Sequence, residues 1–142
     1  MSACVIDASA LLAYLNDEEG ADVVADAVAE TATISAANWA ETLSKAADAG
    51  RDPAELAADL DRQGLLPGLI DVEPVTAEDA LTIAEVRART GRTDISLADR
   101  ACLALTLRLG LPVFTADREW AGLGLEIDVR PIRPTRGGGR PA

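Results

Sequence analysis

The stretch Cys4-Val5-Ile6-Asp7-Ala8-Ser9 decides how this chain folds. It contains a short apolar run that predicts a buried strand, and an aspartate follows this run directly. A second run of the same kind, Val113-Phe114-Thr115, leads to Asp117. In an open parallel α/β sheet, ligands bind outside the carboxyl ends of the strands. Two acids placed just past two strand ends therefore predict a shared acidic pocket.

Strands and helices alternate along the chain. Predicted strands cover residues 3–7, 31–34, 69–72, 112–115 and 127–132. Predicted helices cover residues 9–16, 19–30, 35–49, 52–64, 76–88 and 96–110, with a short helical turn at 117–121. Four helix starts carry a capping residue: Ser35, Asp52, Thr76 and Ser96. This alternation predicts a three-layer α/β/α sandwich with a central, mainly parallel sheet, and Pro131 places the last strand at an edge.

Length and composition favour a single domain with a substantial core, since 49% of the 142 residues are hydrophobic. We assign residues 1–133 to this domain and expect the Gly-, Pro- and Arg-rich segment 134–142 to be disordered. No apolar stretch approaches the roughly 20 residues that span a bilayer, and no signal peptide is evident. We therefore expect a cytoplasmic protein without membrane contact, in which Cys4 and Cys102 are buried thiols rather than a disulfide.

Two further acids, Glu41 and Asp99, lie in apolar surroundings and complete a set of four with Asp7 and Asp117. The chain contains no histidine. A pocket built from carboxylates alone suits a hard cation such as Mg²⁺ or Mn²⁺ and metal-assisted hydrolysis. Without a cation, a like-charge pair at about 4 Å costs on the order of 4 kcal/mol at an effective dielectric near 20. A converging set would therefore bind metal or hold protons at raised pKa values.

Each acid also has a structural interpretation. Asp7 and Asp117 could cap the helical turns that follow them, although Ser9 could cap the first helix alone and leave Asp7 spare. Asp99 lies at the spacing of a capping box with the serine that precedes it. Glu41 lies in the middle of a predicted helix, where a lone Glu is usually solvated. The functional interpretation therefore depends on all four acids meeting in space.

The net charge of −11 argues against sequence-blind binding to duplex DNA, which depends on neutralising phosphates. A nucleic-acid substrate is still compatible with this charge, because bound metal would offset part of it and the positive charge is clustered. The clusters are Arg87, Arg89 and Arg92, and then Arg130, Arg133, Arg136 and Arg140. Arginine can bind phosphate with two hydrogen bonds. A biased genome composition explains the arginines equally well.

Four segments, in order, carry a family resemblance. Residues 5–15, which begin Val-Ile-Asp-Ala-Ser, resemble the opening motif of PIN-domain ribonucleases, especially VapC-type toxins of bacterial toxin–antitoxin pairs. Asn38-Trp39-Ala40-Glu41 resembles the second motif of the family, residues 96–102 resemble the third, and residues 112–120 resemble the fourth. The resemblance covers the chain to residue 133, and the ordered set is more specific than any one motif.

The resemblance implies a function and a set of site residues. The acidic metal-binding and catalytic set would be Asp7, Glu41, Asp99 and Asp117. Hydroxyl neighbours of that pocket would be Ser9 and Thr115. The family implies Mg²⁺- or Mn²⁺-dependent cleavage of RNA, a homodimer, and neutralisation by a small protein antitoxin. Asp94 is an extra acid near the third motif, and no role is assigned to it.

An antitoxin needs apolar surface on which to pack. The two early helices carry more apolar residues than a small sheet covers, namely Leu12, Leu15, Val23 and Val24. We expect an antitoxin segment to pack there and to insert an Arg or Lys into the acidic pocket, in competition with metal. The alternative is that these residues complete the core or a homodimer.

Other functions fit the sequence less well. The missing histidine excludes a histidine-based ribonuclease and a Ser-His-Asp hydrolase. A Mg²⁺-dependent phosphatase would need a second acid two residues after its nucleophilic Asp, and that position is Ser9. A phospho-acceptor receiver domain would need an early acidic pair and a lysine after a late strand, whereas the only lysine is Lys45. A catalytically silent PIN-like interaction module stays open, although the intact acid set argues against it.

Overall fold

Five strands form one parallel sheet in the computed structural model of the chain, which describes residues 2–134. The strands are β1 (Cys4–Ile6), β2 (Ala32–Ser35), β3 (Ile70–Glu73), β4 (Val113–Thr115) and β5 (Val129–Pro131). Their order across the sheet is β3-β2-β1-β4-β5, and each neighbouring pair is parallel. The central strand, β1, is apolar throughout, as burial on both faces of the sheet requires.

Helices connect and flank these strands. They are α1 (Ala8–Leu15), α2 (Ala21–Ala29), α3 (Ala36–Asp48), α4 (Pro53–Arg62), α5 (Ala77–Thr90) and α6 (Leu97–Leu109). A 3₁₀ turn follows β4 at Arg118–Gly122. The predicted caps are confirmed, because a first-turn amide donates to each of the side chains of Ser35, Asp52, Thr76 and Ser96. No helix within residues 2–134 is long and apolar enough to cross a membrane.

Each face of the sheet has its own hydrophobic core. Alternate residues of β1 point to opposite faces. Ile6 packs in a cluster with residues of α1, α2 and α4, whereas Val5 packs in a cluster with residues of α5 and α6. Helices therefore cover both faces, and the predicted three-layer α/β/α sandwich with a parallel sheet is confirmed. Cys4 and Cys102 are free, buried thiols, as predicted.

Most element boundaries lie within one or two residues of the prediction, and the differences include the last strand and the start of α2. The last strand is shorter than the predicted 127–132, since only Val129–Pro131 pair with β4, but it lies at an edge as expected. Helix α2 begins at Ala21 rather than at residue 19, because Gly20 has a φ of 96° and cannot continue a helix. The assignment of residues 1–133 to one domain stays a prediction. The predicted disordered tail at 134–142 lies outside the described residues, apart from Pro134.

Candidate active site

β1 and β4 are neighbours in the sheet, and successive strands are added in opposite directions on either side of this pair. β2 and β3 lie on one side of β1, whereas β4 and β5 lie on the other. Ligands of open α/β sheets bind at such a switch point, in the crevice outside the carboxyl ends of the two strands. Asp7 follows β1 directly, and Asp117 follows β4 after one residue. The two acids therefore lie at the part of the sheet where a ligand site is expected.

Asp7 is 3% exposed, and hydrogen bonds hold both of its carboxylate oxygens. Oδ1 accepts from the Ser9 hydroxyl at 2.7 Å and from the Ala10 amide at 2.8 Å. Oδ2 accepts from the Thr115 hydroxyl at 2.6 Å. The bond from Ala10 caps α1, so the prediction that Ser9 caps this helix and leaves Asp7 spare is wrong. Asp7 is extended and outside the helix, from where it reaches that amide, whereas Ser9 is already helical.

Two hydroxyl groups connect the ends of β1 and β4. Ser9 Oγ, which donates to Asp7, also accepts from the Ala116 amide at 3.0 Å. Thr115 Oγ1, which also donates to Asp7, accepts from the Asp117 amide at 3.0 Å. Each hydroxyl thus gives its hydrogen to Asp7 and receives one from the loop after β4. The position of the Asp7 carboxylate is therefore coupled to the position of Asp117.

Asp117 begins the 3₁₀ turn that follows β4. Its Oδ1 accepts from the Glu119 amide at 2.9 Å, so the structural interpretation of Asp117 as a cap is correct. The residue is nevertheless exposed. A cap uses part of the hydrogen-bonding capacity of a carboxylate, which has about four lone-pair sites. Capping and binding of a ligand are therefore compatible at this side chain.

Asp99 lies in the first turn of α6 and Glu41 lies on α3, and both are half-buried. Burial raises the pKa of Asp99, and the negative charge of Asp117 raises it further. Three of the acids act on the pKa of the Cys102 thiol. Burial raises the pKa of this thiol well above its usual range, and the charges of Asp7, Asp99 and Glu41 act in the same direction. Asp7, Asp99 and Glu41 therefore all interact electrostatically with the buried Cys102 thiol.

The raised pKa of the buried Asp7 carboxyl is compatible with a cation bound beside it. Burial raises the pKa of Asp7 to about 6, although hydrogen bonds from Thr115, Ser9 and Ala10 counteract it, and the charge of Asp99 adds to the increase. A cation favours the ionised form of such a carboxylate, and an all-oxygen donor set suits Mg²⁺ or Mn²⁺. Among residues 2–134, no three acidic or cysteine side chains are grouped so that they could hold a metal ion as they stand. Convergence of all four acids on one cavity stays a prediction.

Asn38 lies outside the set of site residues expected from the sequence, yet it connects three helices here. Its side chain is fully buried. Its Oδ1 accepts from the Ala8 amide at 2.9 Å, and its Nδ2 donates to the Ala98 carbonyl at 2.9 Å. Asn38 and Thr42 are polar residues at helical spacing, and the structure shows that both are fully buried.

Asp94, the extra acid, belongs to an exposed ion-pair network beside the acids. Its carboxylate accepts two hydrogen bonds from Arg92, at 2.7 and 2.6 Å, and this arginine lowers the pKa of Asp94 to about 2. Arg92 also donates to Glu119 at 3.1 Å. The network therefore connects the loop between α5 and α6 to the turn that begins at Asp117.

A groove of about 290 Å³ lies between α1, α3 and α4. Leu12 and Leu15 contribute apolar surface to it, Lys45 contributes positive charge and Glu18 negative charge, and Arg51 is paired with Asp59. The expectation that Val24 is available to a partner is wrong, because Val24 is fully buried in the core. The groove is therefore formed by the first helix and by α3 and α4 rather than by the first two helices.

A family model of the PIN domain matches residues 4–124. The structure resembles a chain of a toxin–antitoxin complex from Klebsiella pneumoniae with a TM-score of 0.71 and 16% identity, over 93% of this chain and 99% of that one. It also resembles VapC20 of Mycobacterium tuberculosis, described as a toxin that cleaves the sarcin–ricin loop. That TM-score is 0.69 at 21% identity, over 90% of this chain and 99% of the toxin.

A third similar structure is a DNA-bound VapBC complex from Salmonella typhimurium, with a TM-score of 0.69 and 17% identity over 93% of this chain and 99% of that one. At these identities, likeness to solved structures establishes the fold alone. No curated protein sequence gives a significant match.

Proposed function

Because the chain belongs to the PIN domain family, we propose that it is a metal-dependent endoribonuclease that acts as the toxin of a toxin–antitoxin pair. PIN-domain nucleases generally use divalent metal ions. The observation that carries the proposal is the hydrogen-bonded network of Asp7, Ser9, Thr115 and Asp117 at the switch point of the sheet. This network fixes the direction of one buried carboxylate and couples it to a second, exposed one.

Asp7 and Asp117 are the proposed direct ligands of the cation, and Glu41 and Asp99 would hold metal-bound waters or complete the shell. When bound, Mg²⁺ or Mn²⁺ would activate water and stabilise the charge that builds on the phosphate and leaving oxygen. Carboxylates that bind metals are usually oriented by hydrogen bonds from neighbouring groups. The Thr115 hydroxyl supplies such a bond to Asp7.

We propose RNA as the substrate. Arg118 follows Asp117 in the chain, and Arg92 donates to Glu119 in the same turn. Arg92 is already paired with Asp94 and Glu119, and Arg118 donates to the Pro134 carbonyl, so these arginines offset negative charge near the acids rather than stand free for phosphate. The acids repel a nucleic-acid backbone unless a cation offsets their charge, so a phosphodiester would be held mainly through the bound cation.

A protein antitoxin is the proposed partner, packed in the groove between α1, α3 and α4. The apolar surface of Leu12 and Leu15 suits an apolar helix, and Lys45 suits an acidic residue beside it. A basic side chain of the antitoxin would enter the acidic pocket and compete with metal. Leu12→Glu would place a charge in the groove, and co-purification of the antitoxin with this variant should be lost.

We also propose a homodimer that works in the cytoplasm. Leu81 on α5 and Leu97 on α6 are 65% and 64% exposed, and we propose that they contribute to the interface. Two free cysteines fit a reducing compartment. Light scattering of the purified chain, with Leu81→Glu and Leu97→Glu as variants, tests the dimer.

Cleavage of a labelled RNA pool by the purified chain tests the activity. Asp7→Asn keeps the shape of the side chain and removes its charge, so we expect cleavage to fall by about 100-fold or more and Mn²⁺ binding to weaken. Asp128→Asn is the matched control. Asp128 is an exposed acid just before the amino end of β5, away from the carboxyl ends of the strands.

Undiminished cleavage by Asp7→Asn, or by the wild type in excess chelator, would contradict the mechanism. The toxin assignment has its own test in the neighbouring open reading frame and in co-expression. A small upstream gene that encodes a DNA-binding segment and an apolar tail supports it. A chain that is harmless to its host and purifies without a small partner would instead be a housekeeping nuclease.

A further inference from the structure

We propose that Asn38 is a positioning residue that fixes the spacing of three of the four acids, a role that rests on the proposed function of those acids. Asn38 lies on α3, three residues before Glu41. Its amide group reaches the starts of α1 and α6, where the other two acids are found. One side chain therefore connects the three helices that carry or adjoin Asp7, Glu41 and Asp99.

The two hydrogen bonds are made to backbone atoms next to the acids. The Ala8 amide, which donates to Asn38 Oδ1 at 2.9 Å, belongs to the residue after Asp7. The Ala98 carbonyl, which accepts from Asn38 Nδ2 at 2.9 Å, belongs to the residue before Asp99. Because the planar amide has a fixed length, these two bonds set the distance between the first turns of α1 and α6.

Burial makes the amide a rigid connection. Asn38 is fully buried, so water does not compete for either bond. The Ala8 amide is one of the first amides of α1, which have no partner within their own helix. A leucine has the same branched skeleton of heavy atoms, although it is bulkier, and it would leave both backbone groups without this partner. Asparagine suits this buried position because its side chain both accepts from the Ala8 amide and donates to the Ala98 carbonyl.

Thr42 is a matched control on the same helix. It is also fully buried, and its hydroxyl donates to the Asn38 carbonyl at 2.9 Å, within α3. Thr42→Val removes a buried hydroxyl whose hydrogen bond stays within α3, and it leaves the hydrogen bonds to α1 and α6 in place. A loss of stability common to buried polar residues of α3 would therefore appear in both variants. A change in the distances between the acids would appear only in the Asn38 variants.

The test is Mn²⁺ binding to the full chain, measured from the electron paramagnetic resonance signal of free Mn²⁺. Asn38→Leu should weaken Mn²⁺ affinity by about tenfold or more, as for the loss of a group that orients metal ligands. Thr42→Val should stay within about twofold of the wild type, and circular dichroism should show both variants folded.

Asn38→Ser provides a second variant in case Asn38→Leu fails to fold. It leaves a polar space that water can enter, which satisfies the Ala8 amide and the Ala98 carbonyl without fixing their separation. We expect Asn38→Ser to fold and to lose about as much Mn²⁺ affinity as Asn38→Leu. Faster hydrogen exchange of the Ala8 amide in both Asn38 variants, but not in Thr42→Val, would show that the connection is lost.

The outcomes separate this role from the proposed function. If Asp7→Asn loses Mn²⁺ binding but both Asn38 variants bind like the wild type, the positioning role is wrong and the proposed function stands. An equal loss in Thr42→Val also overturns the positioning role. If the wild type binds no Mn²⁺, or if Asp7→Asn binds it undiminished, the proposed function fails and the positioning role fails with it.

Discussion

Thr115 donates its hydroxyl hydrogen to Oδ2 of Asp7 across 2.6 Å, although the two residues are 108 positions apart in the chain. The bond joins the carboxyl ends of β1 and β4, which are neighbours in the sheet. The same threonine oxygen accepts the amide hydrogen of Asp117. The strand end, the buried acid and the exposed acid therefore form one connected unit.

Thr115→Val tests whether this unit supports function. The variant keeps the branched shape but removes both the donor to Asp7 and the acceptor for the Asp117 amide. We expect Mn²⁺ affinity and RNA cleavage to fall by about 10- to 100-fold, measured by calorimetric titration and initial rates. Thr106→Val is the control, because the buried Thr106 hydroxyl donates to the Cys102 carbonyl within α6. Equal losses in both variants would contradict the prediction.

Asp7→Asn should stabilise the metal-free fold at alkaline pH. Burial raises the pKa of Asp7 to about 6 in the folded chain, so the unfolded chain gives up this proton more readily. Ionised Asp7 therefore costs stability, starting near its unfolded pKa of about 4 and in full above the folded pKa. The free energy of unfolding in urea and chelator should rise by about 1–3 kcal/mol at pH 8 and stay unchanged at pH 3. A variant less stable than the wild type at pH 8 would refute this.

Asp79→Asn should have the opposite dependence on pH. Burial alone would raise the pKa of Asp79, but the Thr76 amide and Arg108 outweigh burial and lower it. Ionised Asp79 therefore stabilises the fold above its unfolded pKa, and this stability is lost as the pH falls through the lower folded pKa. The variant should lose about 1–2 kcal/mol at pH 7, as for a lost helix cap, and less at pH 3. A loss that grows on acidification would count against this explanation.

Gly20→Ala should destabilise the fold more than Gly50→Ala. Both glycines have a left-handed φ, of 96° and 86°. A Cβ at Gly20 would lie 2.7 Å from the carbonyl oxygen of Ile132, whereas a Cβ at Gly50 would meet nothing within 4 Å. The left-handed backbone costs both variants about 1 kcal/mol, and the steric clash adds about 1–3 kcal/mol to the first. Thermal unfolding of the two variants side by side measures the difference, and equal melting temperatures would exclude the clash.

Local signals in the sequence are sufficient for most of the fold. The apolar run 4–6 gives the central strand, and the capping residue Ser35 gives the start of α3, because each depends on residues close in the chain. The start of α2 is mispredicted, because Gly20 has a left-handed φ, and the Ile132 carbonyl approaches this glycine from far along the chain. Long-range packing therefore decides what local patterns leave open.

In the candidate site, too, some residues could be predicted from local sequence signals, whereas others depend on long-range contacts. Asp7 and Asp117 can be placed at strand ends from the sequence, and Ser9 and Thr115 follow as their neighbours. The bonds of Asn38 reach 30 and 60 residues along the chain, so no local pattern reveals its partners. The sequence shows only a polar residue on a buried helix face. The proposed roles of Glu41 and Asp99 stay predictions for the metal-binding experiments.

The central place of β1 also has a consequence during synthesis of the chain. β1 is made first and can pair with β2 early, but its other side stays open until β4 emerges. Until then, the growing polypeptide contains Asp7 but lacks the threonine that orients it and the acid beside that threonine. Nascent or prematurely terminated chains that stop before residue 113 would therefore be unable to assemble the proposed nuclease. The proposed nuclease activity would thus appear only after the fourth strand has folded.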